Sequence, residues 1–397
     1  MESLYNISNN LITGTSLNFQ RYLLQKINWD NRLIAIRGAR GVGKTTLMLQ
    51  YIKQKHKVGR EVIFVNLDNL YFSKSTLVEF TDEFVKNGGK YLFLDEVHKY
   101  SNWSQEIKNI YDSYPELKIV FSSSSLLQIY KGSADLSRRA VSYDLPGLSF
   151  REFLELEYKI KFPSYSLEDI INHHQEITPF ILSEIKPLVE WKNFTNYGYY
   201  PFFKESKTDY HHKLRNIINL VIESDLPAVI NIDHSSILKI KKLLALLSSS
   251  VPFMPNVLKL SELIGTNRKT VIQYFDYLHN ACILNLLSSE IKGLKYLAKP
   301  DKIYLNNTDL MYAISVENIN VGNLRETFFL NQLNAVASVT SGKKGDFIVN
   351  GNYIFEIGGK NKDFYQIRDV ENSFLALDNI ETGIKNKIPL WLFGFLY

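Results

Sequence analysis

Gly38-Ala39-Arg40-Gly41-Val42-Gly43-Lys44-Thr45, followed by Thr46, is the stretch that decides the fold of this 397-residue chain. The apolar run before it, Leu33-Ile34-Ala35-Ile36, reads as a buried strand, and Thr46 to Ile52 reads as a helix. A GxxxxGK[ST] pattern set between a strand and a helix is a phosphate-binding loop. Its glycines let successive backbone N–H groups turn toward phosphate oxygens with no Cβ in the way. The helix N-terminus behind them adds partial positive charge. Lys44 is expected to reach the β- and γ-phosphates and the Thr45 hydroxyl to ligate Mg2+, which makes Gly38 to Thr46 the expected nucleotide-binding residues.

Lys90-Tyr91-Leu92-Phe93-Leu94-Asp95-Glu96 is an apolar strand that ends in two adjacent carboxylates. In P-loop ATPases such a strand sets the first acid, here Asp95, beside the Mg2+ shell and the second, here Glu96, against the attacking water. Tandem acids favour ATP hydrolysis over phosphoryl transfer to a small molecule. ATP and Mg2+ are therefore the expected ligands, with Lys44 and Glu96 as catalytic groups.

Length allows two to four domains with sizeable cores. Hydrophobic content of 45% and charged content of 22% are ordinary for a globular chain. The first residues, Met1-Glu2-Ser3-Leu4-Tyr5-Asn6, carry neither a basic start nor an apolar core. No apolar run approaches the ~18 residues of a membrane helix, so a cytoplasmic address without membrane contact is expected. The single cysteine, Cys282 in an apolar run, excludes an internal disulfide and reads as a buried inert thiol. Net charge is +5, yet Ser236 to Pro300 alone holds nine Lys/Arg against three acids, a local +6 that leaves the remainder at −1. Such a segment fits either a nucleic-acid contact or a solvated basic face.

Strand and helix signals alternate through the first 150 residues. Glu61 to Asp68 and Lys118 to Phe121 read as further strands, the latter running into Ser122-Ser123-Ser124-Ser125. Alternation of this kind implies a parallel sheet covered by helices, with ligands at the carboxyl ends of the strands. The serines suit either a γ-phosphate contact or the cap of a helix starting near Leu126. Ser149-Phe150-Arg151-Glu152 is a capping box. The region to about Ser248 reads as helical, broken at Pro163, Pro179, Pro187, Pro201 and Pro227. The pairs His173-His174 and His211-His212 lack the i, i+4 spacing of a helical metal site and read as surface residues.

Leu258 to Ile264, a turn at Gly265-Thr266 and Asn267 to Leu278 form a helix-turn-helix, and Ile283 to Ser288 is a candidate wing. Asn267, Arg268, Lys269 and Gln273 then start a recognition helix, with packing as the alternative role. Further on, Ile303-Tyr304-Leu305 reads as a strand and Asn323 to Ala337 as an amphipathic helix. Asp346 to Val349 and Tyr353 to Ile357 read as a hairpin. With Asn350-Gly351-Asn352 as its loop, Val349 pairs with Tyr353 and Asp346 falls opposite Glu356, on one face. Glu326, in the first turn of the preceding helix, is placed to join them.

Together with Trp103, Asp135-Leu136-Ser137-Arg138-Arg139, Leu145 to Phe150, Glu223-Ser224-Asp225-Leu226-Pro227 and Lys302 to Leu305, these motifs resemble a family of bacterial AAA+-type ATP-binding proteins. The resemblance covers nearly the whole chain. It implies a C-terminal domain of restriction-nuclease type, in which Glu326, Asp346 and Glu356 match a PD-(D/E)xK metal triad and Gln366 a glutamine that often follows. The chain departs at the lysine: the ExK position reads Glu356-Ile357-Gly358, with Lys360 two residues on, so a relic nuclease fold is expected. Arg138 or Arg139 is expected to stabilise the γ-phosphate transition state, in cis or from a neighbouring subunit, unless the two form a plain surface pair.

The expected architecture is thus α/β, with a P-loop parallel-sheet ATPase domain (1–148), a helical lid (149–248), a winged helix (249–297) and a small α/β nuclease-like domain (298–397). The expected function is an ATP-hydrolysing molecular switch that exchanges ATP and ADP, with double-stranded DNA or a protein as partner. The alternatives are an ATP-dependent DNA nuclease and a nucleotide-dependent signalling scaffold that touches no DNA.

Overall fold

The computed structural model describes residues 1–57, 59–123, 136, 138–230, 232–248, 254–289, 299–315 and 319–397. Ser124, Ser125 and the helix expected from Leu126, together with Lys292 and Lys295 of the basic segment, lie outside the described residues. The chain forms two compact units, Met1–Gly147 with Asp225–Asn231, and Leu148–Ser224 with Ile232–Tyr397. Positions 248 and 297, expected as domain boundaries, both fall inside the second unit.

In the first unit five parallel strands, β1 (Leu33–Arg37), β2 (Val62–Asn66), β3 (Tyr91–Asp95), β4 (Lys118–Ser123) and β5 (Val141–Asp144), lie in the order β2-β3-β4-β1-β5. Apolar runs such as Leu33-Ile34-Ala35-Ile36 form the inner strands because helices bury both faces of a parallel sheet. β4 separates the phosphate-loop strand from the acidic strand, and all these strands share one carboxyl edge. Helices α1 (Glu2–Gly14), α2 (Leu23–Lys26), α3 (Lys44–Lys55), α4 (Leu77–Lys86) and α5 (Trp103–Ser113) accompany the sheet. The core between them gathers Leu33, Ile63, Phe80, Phe84, Leu92, Trp103 and Phe121. On the outer strand β2, the Phe64 amide donates to the buried Ser8 hydroxyl of α1 at 3.0 Å, which satisfies a group that an open edge leaves bare.

The second unit begins with the expected capping box, Ser149 with Glu152, at the helix Phe150–Tyr158. Pro179 does not end a helix: it lies inside Leu167–Glu184, whose buried Ile177, Thr178 and Ile181 carry the segment across the one missing N–H. Pro187, in contrast, opens its helix at the position where the absent donor costs nothing. His174 of the first histidine pair is buried rather than on the surface, with Nε2 at 3.0 Å from the Lys385 carbonyl. His211 is half-buried against Asn196. Cys282 is half-buried with φ of 58°, not sealed in the core.

Helices Val257–Ile264 and Arg268–Asn280 meet at Gly265, whose φ of 68° ends the first of them. β6 (Leu284–Leu287) follows and pairs antiparallel with β7 (Lys302–Leu305), so the strand expected to open the last domain pairs with the candidate wing strand instead. A mixed sheet, β12-β11-β10-β9-β8, closes the unit, formed by β8 (Val339–Ser341), β9 (Phe347–Val349), β10 (Tyr353–Gly359), β11 (Ser373–Asp378) and β12 (Lys387–Pro389). The β9–β10 hairpin pairs Val349 with Tyr353, as the loop Asn350-Gly351-Asn352 requires. Before it, the helix Val321–Asn334 is buried nearly all round from Thr327 onward rather than amphipathic, and its earlier start moves Glu326 to the second turn.

Asp309 in this unit is fully buried, accepting the Tyr210 hydroxyl and, at 2.9 Å, the Tyr199 amide. Burial pushes its carboxyl up to about 7, against the pull of those donors. The folded chain keeps this proton after the unfolded chain has lost it, so the group lowers stability as pH rises from about 4 to about 7. Asp309→Asn preserves both hydrogen bonds and should flatten that decline in a melting-temperature series across pH. A decline of unchanged slope in the variant would show that Asp309 is not its source.

Candidate active site at the carboxyl edge of the first sheet

β1 leads into the loop at Gly38, where a Cβ would strike the Leu145 carbonyl. Gly41 and Gly43, with φ of 87° and 98°, hold backbone conformations that side-chain-bearing residues avoid. These turns bring the loop into the N-terminus of α3. Lys44, 5% exposed, donates Nζ to the Gly38 and Ala39 carbonyls, each at 2.9 Å, so its charge lies within the loop's own curve. Arg21 fastens the loop from outside: Nη1 donates to the Val42 carbonyl, and Nη2 to those of Pro146 and Gly147, all at 2.7 Å.

Thr45, second in α3, donates its hydroxyl to Asp95 Oδ2 at 2.6 Å, across the width of β4. The other Asp95 oxygen accepts the Ser122 hydroxyl from the end of β4. Ser122 also lies 3.4 Å from the Glu96 amide, so it packs against both acids. Thr45 and Asp95 present hard oxygens of the kind Mg2+ selects, and their spacing suits a shared ion. Glu96 follows β3 with φ of 55°, which turns its carboxylate away from the strand. Burial raises its pKa, while Lys44 and Arg40 pull it back.

Around Glu96 and Arg40 stand His98 and Lys99, which the motifs did not single out, with Ser123 and Asp225, to which the sequence attached no role at this position. His98 Nε2 lies 3.6 Å from the Glu96 carboxylate and His98 Nδ1 3.3 Å from the Ser123 hydroxyl. Burial depresses its pKa to about 4, so the ring is neutral near pH 7. Arg40 Nη2 stands 3.9 Å from Glu96, and Nη1 3.1 Å from Asp225. Asp225, 1% exposed, also accepts Lys99 Nζ at 3.1 Å. It belongs to Asp225–Asn231, the stretch with which the chain returns to this unit.

Arg138 and Arg139 are not at this edge. They precede Val141, which pairs with Ile34 near the start of β1, a strand length of roughly 10 Å from the loop. Arg139 is engaged with Asp112 near the end of α5, at 2.9 and 3.0 Å, and Arg138 is exposed. Action in cis is therefore corrected: the chain path puts both arginines at the entry edge of the sheet.

In the second unit Glu326 and Asp346 share the cation Lys302, and Glu356, close enough to feel the charge of Asp346, is paired with a separate lysine. Lys302 Nζ lies 3.9 Å from Glu326 and 3.6 Å from Asp346, and the Tyr304 hydroxyl donates to Glu326 at 2.7 Å. Asp346 accepts the Ile357 amide at 2.8 Å. Burial and the charge of Asp346 raise the pKa of Glu326. Lys362, not Lys360, answers Glu356, at 2.5 Å, and the Gln366 amide nitrogen donates to the same carboxylate. Among the described residues no group of three or more His, Cys, Asp or Glu side chains is arranged to hold a metal ion. Asn267 caps its helix by accepting the Thr270 amide at 2.9 Å, so it is committed to the backbone rather than free to read bases. Arg268 and Lys269 are exposed, and Gln273 is half-buried.

A phosphate loop after β1, tandem acids at the end of β3 and a strand between them define the first unit as a P-loop ATPase fold of the AAA+ type. Residues 30–154 match the AAA domain family, and residues 189–320 match a domain of unknown function, DUF8612. Two curated relatives are uncharacterized proteins of Methanocaldococcus jannaschii: MJ1637, 26% identical over 65% of this chain and 57% of its own length, and MJ1544, 22% identical over 89% and 82%. The chain thus spans less than two thirds of MJ1637, and both relatives are archaeal where the motifs resembled a bacterial family. Similar solved structures are the Walker-type ATPase PABY2304 of Pyrococcus abyssi (11% identity, 77% of this chain and 99% of that one, TM-score 0.42) and the Aeropyrum pernix ORC1 protein in complex with DNA (11%, 79% and 90%, 0.31). No described helix is long and apolar enough to cross a membrane.

Arg21→Ala strips three carbonyls of a buried charged donor. The cost should be about 3 kcal/mol of stability, with weaker nucleotide binding as the loop loosens. Chemical denaturation and an ATP titration measure both, and wild-type values in each would remove Arg21 from the account.

Proposed function

We propose that the first unit binds ATP with Mg2+ in the loop from Gly38 to Thr46 and hydrolyses it, acting as a nucleotide-dependent switch. The observation that carries this reading is the meeting of Lys44, Thr45, Asp95 and Glu96 at one sheet edge, with Thr45 bonded to Asp95 at 2.6 Å. Mg2+, when bound, draws charge from the β- and γ-phosphoryl oxygens. Thr45 and Asp95 would hold it, the latter directly or through water. Lys44 is to exchange its two carbonyl partners for phosphate oxygens. Glu96, desolvated yet flanked by cations, is to orient the attacking water and take its proton.

Lys44→Ala should weaken ATP binding, because the main phosphate charge partner is lost. Glu96→Gln should bind ATP nearly as well as wild type yet turn over about 10²-fold more slowly. Phosphate release and equilibrium binding separate the two effects, and equal turnover in wild type and Glu96→Gln would contradict the role of Glu96.

Duplex DNA is the partner we propose for the helix Arg268–Asn280, through its exposed Arg268 and Lys269. With Asn267 committed to its cap, these contacts are to phosphates and independent of base sequence. Affinity should fall steeply with salt, and removing both charges should reduce the log–log slope by about two. An unchanged slope would favour a signalling scaffold without DNA. Cleavage is not part of this reading, because the acids of the second unit already have Lys302, Lys362 and Tyr304 as partners.

A further inference from the structure

Arg40 sits inside the phosphate loop, flanked by Ala39 and Gly41, and its guanidinium lies between two acids of different kinds. Glu96, at 3.9 Å, is the residue set to face the attacking water. Asp225, at 3.1 Å, is buried and is shared with Lys99. A buried carboxylate costs free energy unless cations answer it, so this arrangement fixes where both cations point. It comes from a residue outside the AAA-matched segment 30–154, in a stretch that returns to the unit after a long excursion of the chain. The site therefore contains a cation beside the water-activating acid, aimed by an anion that the nucleotide motifs do not supply.

From this geometry, and resting on the ATPase reading, we propose that Arg40 is the arginine that meets the γ-phosphoryl charge in hydrolysis, and that Asp225 is its positioning residue. In the step, the water oxygen bonds to Pγ as the bond from Pγ to the β–γ bridging oxygen breaks. The water proton passes to Glu96, and ADP and phosphate leave. Negative charge accumulates on the γ-phosphoryl and bridging oxygens. Arg40 supplies a fixed, permanently charged donor fork beside that position, a role that Arg138 and Arg139, at the other edge, do not fill in cis. Asp225 limits the conformations of Arg40, so that the guanidinium does not neutralise Glu96 outright.

The test compares wild type with Arg40→Gln, Asp225→Asn and the double variant, by ADP affinity, ATP affinity and single-turnover hydrolysis with Mg2+. Arg40→Gln should lose about 10²-fold or more in the hydrolysis rate, with ADP affinity unchanged. Asp225→Asn should lose less, and adding it to Arg40→Gln should cost nothing further, because it acts through that residue. Asp225→Glu should recover part of the rate. The thermal unfolding transition reports folding in each variant, so an unfolded protein is recognised as such and replaced by the Arg40→Lys variant, which keeps the charge but not the fork and should remain slow. A wild type that neither binds nor hydrolyses ATP overturns the ATPase reading itself. A wild type that hydrolyses, with Arg40→Gln as fast, overturns this inference alone. Equal losses of ADP and ATP affinity without a rate effect would make Arg40 a ground-state ligand and overturn it as well.

Discussion

The hydrogen bond from Thr45 to Asp95 is the contact on which the site depends, because it joins the first turn of α3 to the end of a strand that is not the neighbour of β1. At 2.6 Å it spans the width of β4, which lies between β1 and β3, and it is made because β3 ends at Asp95. The loop that presents Thr45 needs glycines with left-handed backbone, and it needs Arg21 to hold its outer carbonyls. A hydroxyl and a carboxylate arranged this way form a hard-oxygen pair of the sort that a Mg2+ shell uses. Ser122, bound to the same acid, ties the end of β4 into the set.

Around this pair the charges are arranged so that none is left alone. Lys44 is answered by carbonyls of its own loop, Glu96 by Arg40 and the neutral His98, and Asp225 by Arg40 and Lys99. His98 remains uncharged because its side chain is sealed from water, so it adds no positive charge that would bind Glu96 too tightly. Burial raises the pKa of Glu96 toward working pH against the pull of Lys44 and Arg40, which suits a base that must take up and release a proton.

Much of this was legible in the sequence, and the reason is locality. The loop, the helix after it, the acidic strand, the capping box at Ser149 and the hairpin register at Val349 and Tyr353 are all specified by spacing within about ten residues, where backbone geometry leaves few choices. Asp225 was legible only as part of the motif Glu223 to Pro227, with no chemistry attached, because its partners Arg40 and Lys99 lie far away in the chain. Arg139 was misplaced for the converse reason: its neighbours in sequence suggested the nucleotide, whereas the chain path to β5 takes it to the opposite edge and to Asp112. The pairing of Glu356 with Lys362 has a similar origin, since the chain turns after β10 and brings that lysine back.

The most direct measurement is a calorimetric titration of the whole chain with ATP in the presence of Mg2+, repeated with ADP as competitor. Saturable binding at one site per chain, displaced by ADP and weakened when Mg2+ is removed, is the expected result. No binding at millimolar ATP would contradict the reading of the Gly38 to Thr46 loop as a nucleotide site.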